Sequence, residues 1–193
     1  MEAFYTIQGE GNFQGKAAYF IRLGGCDVGC HWCDVKESWD INAHPLLLID
    51  DIVSEASKYP SRIAVITGGE PLMHNLEYLT EALQNAGFRT HIETSGAYSL
   101  SGKWNWICVS PKKFKDALPD VCIKADELKC IVFNNSDFDF AEKYKASVSS
   151  DCKLFLQPEW DKQTQVLPSI IDYVKQHPEW GVSLQVHKFM QIP

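Results

Sequence analysis

Long apolar runs are the first thing missing from this chain of 193 residues. Its longest candidates, such as Leu46–Ile49 and Ile63–Ile66, are core-sized and fall far short of the roughly 20 residues that span a bilayer. A surplus of positive charge is missing too: 18 Lys and Arg stand against 25 Asp and Glu, for a net charge of −7. That excludes unguided binding to nucleic acid, which needs cations to neutralise phosphates. There is no low-complexity stretch, charge block or internal repeat. The opening Met1-Glu2-Ala3-Phe4-Tyr5 lacks the charged-then-apolar order of a secretory leader. A cytoplasmic protein with neither a membrane nor a nucleic-acid partner is therefore expected. Thiols stay reduced there, so the seven cysteines read as metal ligands, catalysts or core residues rather than a disulfide framework.

What is present is ordinary globular material, 45% hydrophobic and 22% charged, enough for one domain over residues 1–193. Strand-like and helix-like segments alternate. Ala18–Leu23 reads as a first strand ending at Gly24-Gly25, and Ile49, Ile52, Val53 and Ala56 repeat at helical spacing. Arg62–Thr67 reads as a buried strand. Asn75 is placed to cap a helix with Leu76, Leu79, Leu83 and Ala86 inward and Gly87 as its stop. Further strands are expected at Arg89–Glu93, Trp106–Ser110, Leu128–Phe133, Lys153–Gln157 and Val182–Val186, with helices at Phe138–Lys145 and Pro168–Gln176. This alternation predicts an α/β fold with mostly parallel strands and right-handed crossovers. A full (β/α)8 barrel takes about 250 residues, so an abbreviated, partial TIM-like barrel is expected.

Short polar words follow the strands directly: Gly68-Gly69-Glu70-Pro71, Glu93-Thr94-Ser95-Gly96, Ser110-Pro111-Lys112 and Gln157-Pro158. Parallel sheets bind ligands at the carboxyl ends of their strands, so these words are expected to share one rim. After the first strand stands Cys26-Asp27-Val28-Gly29-Cys30-His31-Trp32-Cys33. A loop with this spacing can wrap three thiolates around one iron–sulfur cube and leave an iron open, whereas structural zinc wants four protein ligands. His31 could complete a zinc shell, although its adjacency to Cys30 makes a tetrahedron awkward. Cys108, Cys122, Cys130 and Cys152 are scattered and read as core.

The Cys-x3-Cys-x2-Cys spacing resembles the radical S-adenosylmethionine (SAM) superfamily. That resemblance implies a [4Fe–4S] cluster on Cys26, Cys30 and Cys33. The open iron would chelate SAM, whose cleavage by one electron gives a 5′-deoxyadenosyl radical. It places Trp32 beside the adenine and Gly68, Gly69 and Glu70 near the methionine amino group. The run Tyr5-Thr6-Ile7-Gln8-Gly9-Glu10-Gly11, with Arg22, the four words and Val182–Lys188, resembles the 7-carboxy-7-deazaguanine synthase family of 7-deazapurine (queuosine precursor) biosynthesis. The likeness covers essentially the whole chain. It implies ring contraction of 6-carboxy-5,6,7,8-tetrahydropterin with loss of ammonia, SAM being regenerated. Substrate contacts are then expected from Ile7, Gln8, Gly9, Glu10, Arg22, Thr67, His187, Lys188 and the Pro193 carboxylate. SAM contacts are expected from Thr94, Ser95, Ser110, Pro111, Lys112, Gln157, Pro158, Glu159 and Trp160. The resemblance also implies a homodimer, and a flavodoxin or ferredoxin is the plausible reductant.

Bland readings stand beside these. Arg22 could be a surface ion pair, and His187 and Lys188 the exposed face of a terminal strand. His91 reads as a hydrogen-bonded core histidine, and the tryptophans other than Trp32 mostly as core. The sequence also departs from the family at one point. The family commonly carries a threonine two residues after the last cluster cysteine, where it helps bind Mg2+. Here the residue is Val35, which offers no oxygen to a hard cation, so a weaker need for Mg2+ is expected. Two rival readings are a glycyl-radical-enzyme activase using the same cluster and a non-enzymatic zinc module.

Overall fold

The computed structural model describes residues 1–193. Eight strands form one sheet in the order β1 to β8, each hydrogen-bonded to its sequence neighbour, and the sheet does not close. The strands are β1 Glu2–Ile7, β2 Ala17–Leu23, β3 Ile63–Gly68, β4 Arg89–Thr94, β5 Trp106–Val109, β6 Glu127–Val132, β7 Lys153–Pro158 and β8 Trp180–Val182. β1 runs antiparallel to β2, and every later pair is parallel. The helices are α1 Ile49–Ser57, α2 Glu77–Asn85, α3 Pro119–Cys122, α4 Ser136–Lys145, α5 Gln163–Gln176 and α6 Val186–Met190. This is the expected partial barrel.

Alternation along the strands sorts side chains into two compartments. Ile66, Ile92, Cys130 and Leu156 face a core completed by Leu79, Leu83, Ala141 and Ile170 of the helices. Fully burying a leucine or isoleucine there contributes about 1.5–3 kcal/mol, and Leu83 and Ile170 are completely buried. Neighbouring strand positions on the other face supply Thr67, Glu93, Lys129 and Gln157 to the concave side. A one-residue slip in any strand would exchange the two sets. Cys108, Cys122, Cys130 and Cys152 are buried and unbonded, as the sequence suggests.

Three expectations need correction. The strand over Ala18–Leu23 is the second, because Glu2–Ile7 precedes it as an antiparallel edge strand. The last strand ends at Val182 rather than continuing to Val186. The apolar–polar alternation of Val182–Val186 mimics a strand, but Ser183 turns inward to donate to Gln157 Oε1 at 2.7 Å, and α6 begins at Val186. His187 and Lys188 therefore sit on a short helix. Finally, α5 starts five residues before Pro168 and carries that proline internally.

Candidate active site

The stretch from Gly24 to Leu48 leaves the end of β2 and crosses the mouth of the concave face. Backbone bonds hold it there: Gly25 N donates to Ser38 O at 2.6 Å, and Glu70 N donates to Gly25 O at 2.8 Å. Gly69 must be glycine at this crossing, since an ideal Cβ would lie 2.3 Å from Gly25 O. The Gly-Gly-Glu-Pro word is thus clamped under the cysteine loop. The carboxylate of Glu70, 1% exposed, accepts from Leu72 N at 3.0 Å, Thr94 Oγ1 at 2.5 Å, and both the amide (2.8 Å) and the hydroxyl of Ser95. It ties the word after β3 to the word after β4.

Below this loop lies a cleft of about 450 Å³. Its walls carry Cys26, Cys30 and Cys33, then Trp32, Gly68 to Glu70, Thr94, Ser95, Ser110, Lys112, Gln157 to Trp160 and Lys188. All four polar words reach it, as expected from the strand ends; Pro111 alone of the expected SAM contacts is not in its wall. Lys112 Nζ donates to Ser110 O and Oγ, both at 2.6 Å, and lies 5.7 Å from the Trp32 ring.

The thiols fit a cluster better than a single ion. One zinc with bonds of about 2.3 Å would hold its sulfurs within about 4 Å of each other. The only trio of His, Cys, Asp or Glu ligand atoms within 4.8 Å of one another in this protein is Glu142, His177 and Glu179, far along the chain. The three cysteine sulfurs are not all drawn within that distance, and they line one cleft together. The His31 ring packs edge-on against Phe114 and Phe133, at 5.4 and 5.5 Å. Burial pushes the Cys26 thiol up, and pushes Cys30 up to about 11 against the pull of Lys112. Binding a metal would displace those protons.

A second cavity of about 200 Å³ adjoins the first. The linings share Glu10, Asp34, Thr67, Gly68, Glu93 and Gln185. The second also takes in Ile7, Gln8, Gly9, Arg22, Val35, His187 and Pro193. Every expected substrate contact except Lys188, which lines the first cleft, is there. Arg22 is also paired with Glu2 at 2.6 Å. Asp34 is held by Lys188 at 2.9 Å. The His187 ring lies over Gly9, where a Cβ would fall 2.1 Å from Nδ1. Burial lowers the pKa of His187, opposed by the charge of Glu10.

Sequence reasoning missed what lies beneath. Lys129, on β6 and 5% exposed at its side chain, pairs with Glu10 at 2.6 Å and Glu93 at 2.9 Å. Gln185 Nε2 donates to the other Glu10 oxygen at 2.9 Å. Burial works against charge on both partners. Lys129 outweighs it at Glu10, whose pKa falls to about 2, and Glu10 with Glu93 holds Lys129 well above an ordinary lysine. The one available signal was a lysine inside the apolar run Leu128-Lys129-Cys130-Ile131-Val132. His91 also departs from expectation. It is 3% exposed and its Nε2 has no partner, and burial beside Arg89 pushes its pKa down to about 4.

Comparison with known proteins identifies the family. A radical SAM superfamily model matches residues 20–106. The chain is 54% identical to a 7-carboxy-7-deazaguanine synthase of Flavobacterium psychrophilum, over 100% of this chain and 91% of the relative. It is 45% identical to the Synechocystis enzyme of the same name, over 99% and 91%. The crystal structure of QueE from Escherichia coli superposes with a TM-score of 0.83 at 31% identity, covering 95% of this chain and 91% of that one. No helix of the protein is long and apolar enough to cross a membrane. This chain belongs to the 7-carboxy-7-deazaguanine synthase family of the radical SAM superfamily.

Proposed function

We propose that residues 1–193 act as one radical SAM domain that converts 6-carboxy-5,6,7,8-tetrahydropterin to 7-carboxy-7-deazaguanine with loss of ammonia. The observation that carries this is the pair of joined cavities, one walled by three cysteines and the other by Gln8, Glu10, Arg22, His187 and Pro193. Cys26, Cys30 and Cys33 would hold a [4Fe–4S] cluster, which supplies the electron that cleaves SAM and so generates the hydrogen-abstracting radical. Trp32, Gly68, Gly69, Glu70, Thr94, Ser95, Ser110, Pro111, Lys112 and Gln157 to Trp160 would surround SAM. Glycine at position 69 lets backbone approach the ligand where no side chain intervenes.

The chain's own groups do the rest. Arg22, which also pairs with Glu2, grips the substrate carboxylate. Glu10, ionised by Lys129, accepts hydrogen bonds from the donor edge of the pterin. His187, kept neutral by burial, can donate to or accept from the same ring. Pro193 and Thr67 complete the lining of the second cavity. The residues do not make a Mg2+ site unaided, since Val35 has no oxygen and Asp34 is occupied by Lys188. A weak dependence on Mg2+ follows. The family resemblance supports a homodimer; a cytoplasmic location and a flavodoxin or ferredoxin reductant complete the proposal.

Anaerobic reconstitution with iron and sulfide, followed by dithionite, SAM and the tetrahydropterin, tests the reading. Product in excess over SAM, nearly unchanged when Mg2+ is withdrawn, is the expected result. Formation of 5′-deoxyadenosine without the deazaguanine would refute the substrate, and a colourless zinc protein would refute the cluster.

A further inference from the structure

The substrate word Gln8-Gly9-Glu10 lies on the connection between β1 and β2, a turn with no regular element long enough to fix itself. Gln8 N donates to Lys16 O and Gly15 N to Gln8 O, both at 2.8 Å, which closes the turn on itself. What fixes it to the sheet comes from elsewhere. Gly11 N donates to Ser183 Oγ at 2.9 Å. Asn12 N donates to Glu127 Oε2 at 3.2 Å, and the same oxygen accepts Trp106 Nε1 at 3.0 Å. Phe13 is then set edge-on to His91 at 4.4 Å and to Trp106 at 4.9 Å.

Glu127 fits against this turn closely. Gly11 has φ of +61°, and an ideal Cβ on it would lie 1.9 Å from Glu127 Oε1. Glu127 is 2% exposed. Its Oε1 and His91 Nε2 are the two buried side-chain polar atoms left without a hydrogen-bond partner in the protein. A buried acid that makes both of its bonds through one oxygen is positioned by that oxygen. The substrate word lies two to four residues from the amide it holds.

We propose that Glu127 is a positioning residue for the substrate: through Oε2 it anchors Asn12 N–H and Trp106 Nε1–H, and so fixes the turn that presents Gln8, Gly9 and Glu10 to the second cavity. This rests on the functional reading above. The anchoring depends on reach rather than on charge. Burial and the charge of Glu93 raise the pKa of Glu127, which favours its neutral form. A glutamine with its oxygen at Oε2 keeps both bonds and puts its amide where Oε1 lacks a partner.

Two substitutions in the reconstituted holoenzyme separate reach from charge. Glu127→Asp keeps the carboxyl group but withdraws its oxygens by about 1.5 Å, one carbon–carbon bond. It should raise KM for the tetrahydropterin about tenfold with kcat within about twofold. It should also speed hydrogen exchange of the Asn12 amide about tenfold. Glu127→Gln should leave all three within about twofold of the parent. Neither should change the slow formation of 5′-deoxyadenosine without pterin. Unchanged KM and exchange in Glu127→Asp, or equal damage from Glu127→Gln, would overturn the proposal. So would a fall in kcat rather than a rise in KM, or slower 5′-deoxyadenosine formation. If the parent enzyme does not turn over the pterin, the functional reading fails, while the exchange measurement still decides whether Glu127 holds the turn.

Discussion

The two cavities are built by opposite strategies. The larger one is walled by short words, each placed at the end of a strand: the cysteine loop after β2, Gly68 to Glu70 at the end of β3, Thr94 and Ser95 at the end of β4, Ser110 and Lys112 after β5, and Gln157 with Pro158 at the end of β7. Each word is local, and the parallel sheet brings all of them to one rim. The smaller cavity is assembled across the chain. Ile7 and Pro193 meet in its wall, Thr6 Oγ1 donates to Pro193 O at 3.4 Å, and Glu10 is held by Lys129 and Gln185. On the proposed function, the comparison teaches that the cofactor site is written in short motifs and the substrate site in long-range contacts.

Lys129→Met is the strongest way to break that contrast. It leaves Glu10 and Glu93, half-buried in the walls of both cavities, without their cation; removing one partner of a fully buried ion pair costs about 3–5 kcal/mol, and a partly exposed one less. Denaturant unfolding should show that loss, and turnover of the pterin should collapse. Cleavage of SAM without pterin should survive, because Lys129 holds none of the cysteine loop's backbone bonds. Equal loss of both activities would show that the cavities are not separable.

A smaller effect should come from the floor. His91 has a folded pKa of about 4, against roughly 6.5 in an unfolded chain. The unfolded state thus binds the proton first, so stability falls as pH drops from 6.5 to 4 and levels off below. The full loss is about 3 kcal/mol. His91→Phe should flatten this limb of the stability–pH curve while keeping an aromatic ring packed against Phe13 and Trp106. A limb that persists unchanged would mean another group carries it.

Legibility followed the same division. The parallel strands β2 to β7 could be read because their apolar runs are buried by helices and bounded by glycine or polar words. The cysteines and the Gly-Gly-Glu-Pro word could be read because their spacing is itself the chemistry. The edge strand Glu2–Ile7 was missed because its residues double as the approach to the substrate word. Val182–Val186 was misjudged because a period of two also arises when Ser183 and Gln185 turn inward to hold Gly11 and Glu10. Lys129 and Glu127 lie two residues apart on one strand, and each has a partner in the β1–β2 turn over a hundred residues earlier. No local pattern could reveal such contacts.

The central claim is that a substrate in the smaller cavity lies against SAM in the larger one. The family resemblance implies that the radical takes the C6 hydrogen, so tetrahydropterin deuterated at C6 tests it directly, with the label traced by mass spectrometry through turnover by the reconstituted enzyme. Deuterium recovered at the 5′-carbon of SAM or of 5′-deoxyadenosine is the predicted result. Deuterium released only to solvent, with unlabelled SAM and full product formation, would contradict the account.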